Sequence, residues 1–168
     1  MIIRRTDYGD LPAVMEIINA AKRFFRENGI DQWQRGTPNE EMIKEDIKNG
    51  ESYVAEIDGK VCATVMISLR GEPTYRVINN GKWLNDGSYG VLHRIAVSPD
   101  CKKSGIATAF VKKAEEITRE AGFLSLRADT HNDNKPMRGM LTKNGFTLCG
   151  GITLADGSSR WGFEKIIE

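Results

Sequence analysis

The sequence predicts a mixed α/β (α+β) fold, a central β-sheet of about six to seven strands flanked by about four helices. Three observations carry that prediction. Asp58-Gly59 sits between two apolar runs, SYVAEI and KVCATVMISL, and marks a hairpin. Residues 89–128 run strand, amphipathic helix, strand, which makes a parallel pair joined by a crossover helix. Helical periodicity also fills residues 11–25, ahead of the hairpin, so strands and helices alternate irregularly.

The elements follow in order. MIIRRT reads as a first strand. Asp10 stands where a helix cap belongs, Pro12 lies in the first turn, and Leu11, Val14, Ile17, Ile18, Ala21 and Phe25 form one apolar stripe that Gly29 ends. A short helix follows Asn39, with Ile43 and Ile47 one turn apart. After the hairpin, residues 70–88 are rich in Gly, Asn and Pro and form a long connection, with a small hairpin expected at Asn80-Gly81. YGVLHRIAV is the clearest strand. A helix opens near Ser104, carries Ile106, Ala107, Phe110, Val111, Ala114 and Ile117, and closes at Gly122. FLSLRA is a strand, Pro136 begins a short helix that ends at Asn144-Gly145, and two strands cover about 146–154 and 160–167.

The 168 residues suit one domain, 1–168, with no linker, repeat or low-complexity tract inside it. A net charge of +1 leaves no bulk electrostatic footprint for nucleic acid, so no nucleic-acid partner is expected. No run approaches the roughly 18 apolar residues of a membrane span, and no apolar core of a signal peptide follows Arg4 and Arg5. Three widely spaced cysteines, Cys62, Cys101 and Cys149, with no Cys/His cluster, predict reduced thiols, no metal site and a cytoplasmic location.

Residues 94–110, RIAVSPDCKKSGIATAF, run from the best strand through a basic turn into a helix. A helix N-terminus presents unpaired N–H groups and partial positive charge, so an anion sits there readily. Gly105 lets backbone approach a ligand without a Cβ, Ala107 keeps the next position small, Thr108 adds a hydroxyl, and Lys102 and Lys103 add charge. The turn suits a diphosphate; a glycine there also simply turns the chain. Neither GxxxxGK[ST] nor GxGxxG is present.

Lys102-Lys103-Ser104-Gly105-Ile106-Ala107 resembles the [Q/R]-x-x-G-x-[G/A] signature of the GNAT superfamily of N-acetyltransferases, with Lys102 in place of Gln or Arg. The preceding HRIAVSP, and NDNKPMRGMLTKNGF with Asn134 opening a helix that ends in Gly145-Phe146, resemble that family as well. The resemblance implies the GNAT fold with a splayed parallel strand pair, and acetyl-CoA as cosubstrate. It implies that Lys102, Lys103 and the amides of Ser104, Gly105, Ile106, Ala107 and Thr108 hold the pyrophosphate. Backbone groups of Ile95, Ala96 and Val97 would follow the pantetheine, and Asn134 and Met137 would touch the coenzyme. Asn134 also reads as a plain helix cap.

Acyl transfer to an amine needs proximity, a base for the amine proton and donors for the developing oxyanion. His93 stands on the strand before the turn, and an imidazole ordinarily titrates near ~6.5, which suits a base at neutral pH. Its position is similar to a catalytic His in the arylalkylamine branch of the family; the competing readings are a backbone-bonded structural His and a substrate contact. Asp129 and Asp133 are further candidates for a proton relay, and His131 reads as part of a loop cap. Many relatives place a Tyr, as acid for the leaving thiolate, where this chain has Leu141; Tyr89 is a candidate to replace it. Trp33 and Trp83, beside Asp31 and Asp86, suit the walls of an amine site with Tyr89, or else anchor their loops. The expected activity is acetyl-CoA-dependent N-acetyl transfer to a primary amine of a small molecule by direct attack. Acetylation of a protein N-terminus or lysine, and acyl-CoA binding without turnover, are the alternatives. A homodimer through the C-terminal strands is common among such relatives.

Overall fold

The computed structural model describes all residues, 1–168. Seven strands form a mixed sheet in the order β1-β2-β3-β4-β5-β7-β6, accompanied by four α-helices. The order of elements along the chain is the one the sequence predicts. The chain divides into two compact units, Met1–Ile67 with His93–Phe110, and Ser68–Leu92 with Val111–Glu168.

In the first unit β1 (Ile2–Arg5) pairs antiparallel with β2 (Ser52–Ile57), and β2 with β3 (Lys60–Ser68). The hairpin turns on Asp58 (φ 51°) and Gly59 (φ 77°), the two successive left-handed residues that make Asp-Gly a strong hairpin signal. Helix α1 (Leu11–Glu27) buries Leu11, Val14, Ile17, Ile18 and Phe25, the predicted stripe except for the half-buried Ala21. Leu11, Val14 and Ile18 form a core with Val54 of β2 and Ile43 of α2 (Glu40–Lys48). Asn39 caps α2 by accepting from Met42 N–H at 2.9 Å. Asp10 does not cap α1: its carboxylate accepts from the Asp7 N–H at 2.8 Å and from Arg4 at 2.7 and 3.0 Å. Asp10 itself has helical backbone (φ −80°, ψ −13°), because a 3₁₀ turn at Tyr8–Asp10 runs straight into α1, so it stands inside the helical run and not at its cap.

The cysteine reading needs correction. Cys62 on β3 and Cys101 are joined in a disulfide, with Cα atoms 5.9 Å apart and 39 residues between them in sequence; Cys149 is the free, buried thiol. Nothing in their spacing shows this, because β3 and the segment after β4 are neighbours only in the fold: Ser98 N–H donates to the Cys62 carbonyl at 2.8 Å.

In the second unit the start of β4 (Tyr89–Val97) runs parallel to β5 (Ser125–Thr130) in the register Tyr89↔Ser125, Gly90↔Leu126, Val91↔Arg127. Gly90 is required there: a Cβ would lie 2.2 Å from Thr118 Oγ1 of α3 (Ile106–Glu120) and 2.9 Å from Leu126 Cδ2. β7 (Ser159–Ile166) pairs antiparallel with both β5 and β6 (Thr147–Thr153). Helix α4 (Lys135–Lys143) lies between β5 and β6 in the chain and ends at Asn144, with Gly145 at φ 87°. The hairpin expected at Asn80-Gly81 is absent. Asn79 instead exchanges two 2.8 Å backbone bonds with Gly151 of β6, so the segment pairs with a distant strand rather than with itself. Tyr75, Val91 and Ile152 form this unit's core cluster, with Ile78, Trp83, Tyr89 and Leu154 against it.

Candidate active site

After β4 the chain makes a single 3₁₀ turn at Pro99–Cys101, passes Lys102–Gly105, and enters α3 at Ile106. Lys103 (φ 65°) and Gly105 (φ 79°) are both left-handed, with Ser104 between them. Short runs of alternating backbone hand turn successive N–H groups toward one concavity, a form that binds anions. The open N-terminus of α3 adds its unpaired N–H groups and its dipole. No atom outside its neighbours lies within 4 Å of a Cβ built on Gly105, so the space before the turn is open. Ser104 does not offer its hydroxyl outward: Oγ donates to the Cys101 carbonyl at 2.5 Å and closes the turn. Lys102 lies with its ammonium 4.7 Å from the Phe24 ring centre, while Lys103 is exposed. Ile106 is buried and anchors the helix; Ala107 and Thr108 are half-buried. The donor set and the open cradle fit a diphosphate.

Ahead of the turn, His93, Ile95 and Val97 are half-buried and Ala96 is buried. Between His93 and Ile95, Arg94 adopts φ 52°. Its guanidinium meets the buried Asp46 of α2, Nη2 donating to Oδ1 at 3.2 Å and Nε lying 3.1 Å from Oδ2. In the same unit Trp33, also left-handed at φ 60°, packs on the α1–α2–β2 core and stands edge-on to Phe25 with ring centres 5.5 Å apart. Asp31 pairs with Arg35 at 3.3 Å on the surface. Trp33 therefore anchors its segment, as does Gln34, which donates to the carbonyls of Lys22 and Gln32.

In the second unit Trp83 and Tyr89 flank the Arg127 guanidinium, whose carbon lies 4.2 and 4.0 Å from the two ring centres. Trp83 Nε1 donates to the Tyr75 carbonyl at 2.9 Å, and the Tyr89 hydroxyl accepts from Glu72 N–H at 3.2 Å. Both aromatics hold residues 70–88 in place, the anchoring role that the sequence also offered them, and the Tyr89 hydroxyl is engaged by Glu72 N–H. Beneath them Glu164, 0% exposed, accepts from Arg127 Nε (3.0 Å), Ser125 Oγ (2.7 Å), Asn85 Nδ2 (3.0 Å) and Leu84 N–H (2.5 Å). A buried carboxylate is tolerated when its lone pairs are filled in this way.

Asn134 is buried and caps α4 through Met137 N–H at 3.2 Å; Met137 is half-buried. Asp133 N–H donates to His131 Nδ1 at 3.1 Å, the local loop cap read from the sequence. Leu141 is fully buried and supplies no proton donor. The pair that sequence reading missed is Tyr75 with Asp129: the buried phenol donates to Oδ2 at 2.6 Å, and burial, then the carboxylate, push the phenol pKa well above its usual value. Asp129 was legible as an acid at a strand end; Tyr75, in a segment without periodicity, carried no signal.

Comparison with known proteins places the family and the fold. The family described as acetyltransferase (GNAT) matches residues 12–146. A GNAT-family acetyltransferase from Streptococcus agalactiae 2603 superposes with a TM-score of 0.89 at 33% identity, covering 99% of this chain and 95% of that one. One from Listeria monocytogenes 4b F2365 gives 0.74 at 20% identity, covering 98% and 94%. A ribosomal-protein-alanine N-acetyltransferase from Brucella melitensis gives 0.71 at 21% identity, covering 99% of each; at that identity it attests the fold alone. A search of curated proteins finds no match. With the family matched over most of its length and a 33%-identical family member covered almost in full, the chain belongs to the GNAT acetyltransferase family and is an N-acetyltransferase.

Proposed function

We propose that the protein uses acetyl-CoA to acetylate a primary amine of a small molecule, in one domain spanning residues 1–168. The observation that supports the coenzyme part is the turn itself, where left-handed Lys103 and Gly105 alternate with Ser104 before the open end of α3 and nothing fills the space in front of Gly105. Amides from Ser104 to Thr108, with Lys103 and Lys102, would hold the pyrophosphate; Lys102 would leave the Phe24 ring to do so. Backbone groups of Ile95, Ala96 and Val97 would pair with the pantetheine arm. In the second unit, Asn134 and Met137 are the proposed coenzyme contacts.

Acetyl-CoA supplies an activated acyl group, so no protein nucleophile is required. The amine nitrogen forms the new bond to the carbonyl carbon, the carbon–sulfur bond breaks, and coenzyme A leaves as the thiolate. His93 takes the proton that the nitrogen loses, and solvent protonates the thiolate, since Leu141 cannot and Tyr89 is engaged. A small acceptor is supported by the two long segments, residues 30–39 and 70–88, each of which is pinned within its own unit by specific hydrogen bonds and ring contacts.

The test is a panel of amines, amino acids and peptides followed by thiol release from acetyl-CoA, with His93→Ala as partner. A small amine should be turned over in preference to peptides. The mutant should lose about 10²-fold or more in kcat and lose the acidic limb of the pH–rate profile, while coenzyme binding persists. Peptide preference would overturn the acceptor class, and an acidic limb unchanged in the mutant would return His93 to a structural role.

A further inference from the structure

Five residues other than glycine have positive φ: Trp33, Asp58, Asn80, Arg94 and Lys103. Four of them lie in turns or loops. Arg94 alone lies inside a strand, at φ 52° within β4. A side chain with a Cβ resists this conformation, which strands normally give to glycine at a bulge. Along β4, Gly90, Val91 and Leu92 are buried, His93, Arg94 and Ile95 are half-buried, and Ala96 is buried. A left-handed residue thus interrupts the extended backbone of β4 at Arg94, beyond the parallel pairing with β5 at Tyr89–Val91.

The residue that meets Arg94 is as unusual as its conformation. Asp46 lies in the second half of α2, where the helix dipole disfavours a carboxylate, and its side chain is 5% exposed. Neither helix propensity nor burial accounts for an Asp there. The guanidinium fork of Arg94 does, through its contacts at 3.2 and 3.1 Å. Nη2 makes a hydrogen bond and Nε a close ion contact, so the guanidinium is held in place as well as paired.

We infer that Asp46 is a positioning residue for the coenzyme: by clamping Arg94 it holds the left-handed kink of β4, and the kink sets the direction of the backbone N–H and C=O groups of Ile95–Val97. The inference rests on the proposed role of those groups along the pantetheine. It differs from a plain tether between α2 and β4 in one respect. What the pair supplies is a backbone conformation, and a glycine at position 94 can adopt that conformation without it.

The experiment therefore compares two double variants that lack the ion pair equally, Asp46→Asn/Arg94→Ala and Asp46→Asn/Arg94→Gly. Coenzyme A affinity is read by calorimetry and folding by circular dichroism and denaturant unfolding. The alanine variant should bind coenzyme A about tenfold more weakly or worse, the scale set by the left-handed penalty of a residue with a Cβ. The glycine variant should stay within about threefold of wild type, although glycine in a strand lowers stability. Equal losses in both would overturn the inference and leave the pair a tether; so would unchanged affinity in both. Should the alanine variant fail to fold, Asp46→Asn alone should show the weakened binding that the glycine variant restores; should the glycine variant fail, Arg94→Gly alone should stay within about threefold of wild type while Asp46→Asn loses about tenfold, and equal losses would overturn the inference. If the wild-type protein itself does not bind coenzyme A, it is the proposed function that fails. The clamp is then judged by the backbone carbon shifts of residue 94, which should move from left-handed to extended values in the Asp46→Asn/Arg94→Ala variant; retention of the left-handed shifts would refute it.

Discussion

Gly105→Ala separates what the turn does for the fold from what it does for the coenzyme. Gly105 sits at φ 79° with nothing within 4 Å of a built Cβ, so alanine meets no clash and pays only for the left-handed backbone. That penalty is about 1–2 kcal/mol. For a chain of this size it lowers Tm by about 2–8 °C, at 2–4 °C for each kcal/mol. Gly122, at the other end of α3, has φ 77° and equally empty surroundings. Gly122→Ala is therefore a matched control, with the same strain and no place in the proposed site. Both variants should lose similar Tm in thermal unfolding. In calorimetry with coenzyme A, only Gly105→Ala should lose affinity, about tenfold or more, because its Cβ fills the space where phosphate oxygens meet the amides. Dephospho-coenzyme A, which keeps the pyrophosphate, should show the same loss. Equal coenzyme affinity in the two variants would refute the assignment of the turn.

Asn134→Ala removes the cap on Met137 N–H and should cost about 1 kcal/mol, read as a Tm lower by about 2–4 °C; weaker coenzyme binding should accompany it, and lower stability alone would assign Asn134 to the cap only. Denatured protein prepared without reductant should titrate one thiol, Cys149, and three after reduction; the 39-residue loop sets an upper figure of about 4 kcal/mol for the stability lost with the bridge, and three thiols without reductant would refute the disulfide. Hydrogen bonds from Arg4 hold the Asp10 carboxyl below its ordinary range, so its contribution to stability is present above the unfolded-state pKa and is lost as pH falls through the depressed folded value. Asp10→Asn should accordingly flatten the fall of unfolding free energy between about pH 5 and pH 2, and an unchanged slope would refute the linkage.

Elements were legible because their signals are local. The stripe of α1 recurs every turn, the Asp58-Gly59 hairpin needs two residues, and Asn39 and Asn134 cap helices whose N–H groups lie three residues on. The turn before α3 was legible for the same reason: a basic pair, a glycine and an amphipathic run lie within ten residues. Asp10 was misread at this scale, since no sequence pattern announces the 3₁₀ turn at Tyr8–Asp10 that carries the helical run back past it.

The features that decide how the candidate site is held are of another kind. Arg94 meets Asp46 across 48 residues, Cys62 meets Cys101 across 39, and Arg127 meets Glu164 across 37. Periodicity cannot pair residues at such separations, and composition gives no reason to pair these charges rather than others. Trp33 and Trp83 show the consequence. An aromatic in a polar segment reads equally as a binding wall or an anchor, and the contacts with Phe25 and Arg127 that anchor these two emerge only in the fold. Each anchored segment lies in its own unit, residues 30–39 fixed by the helix that precedes them and residues 70–88 by Arg127 and Glu164 of distant strands. In this chain the sequence therefore displays the groups that would touch the coenzyme, because they act through local backbone. The long-range pairs that hold those groups in place become visible only in the folded structure, and it is there that Asp46, which no motif includes, acquires a role.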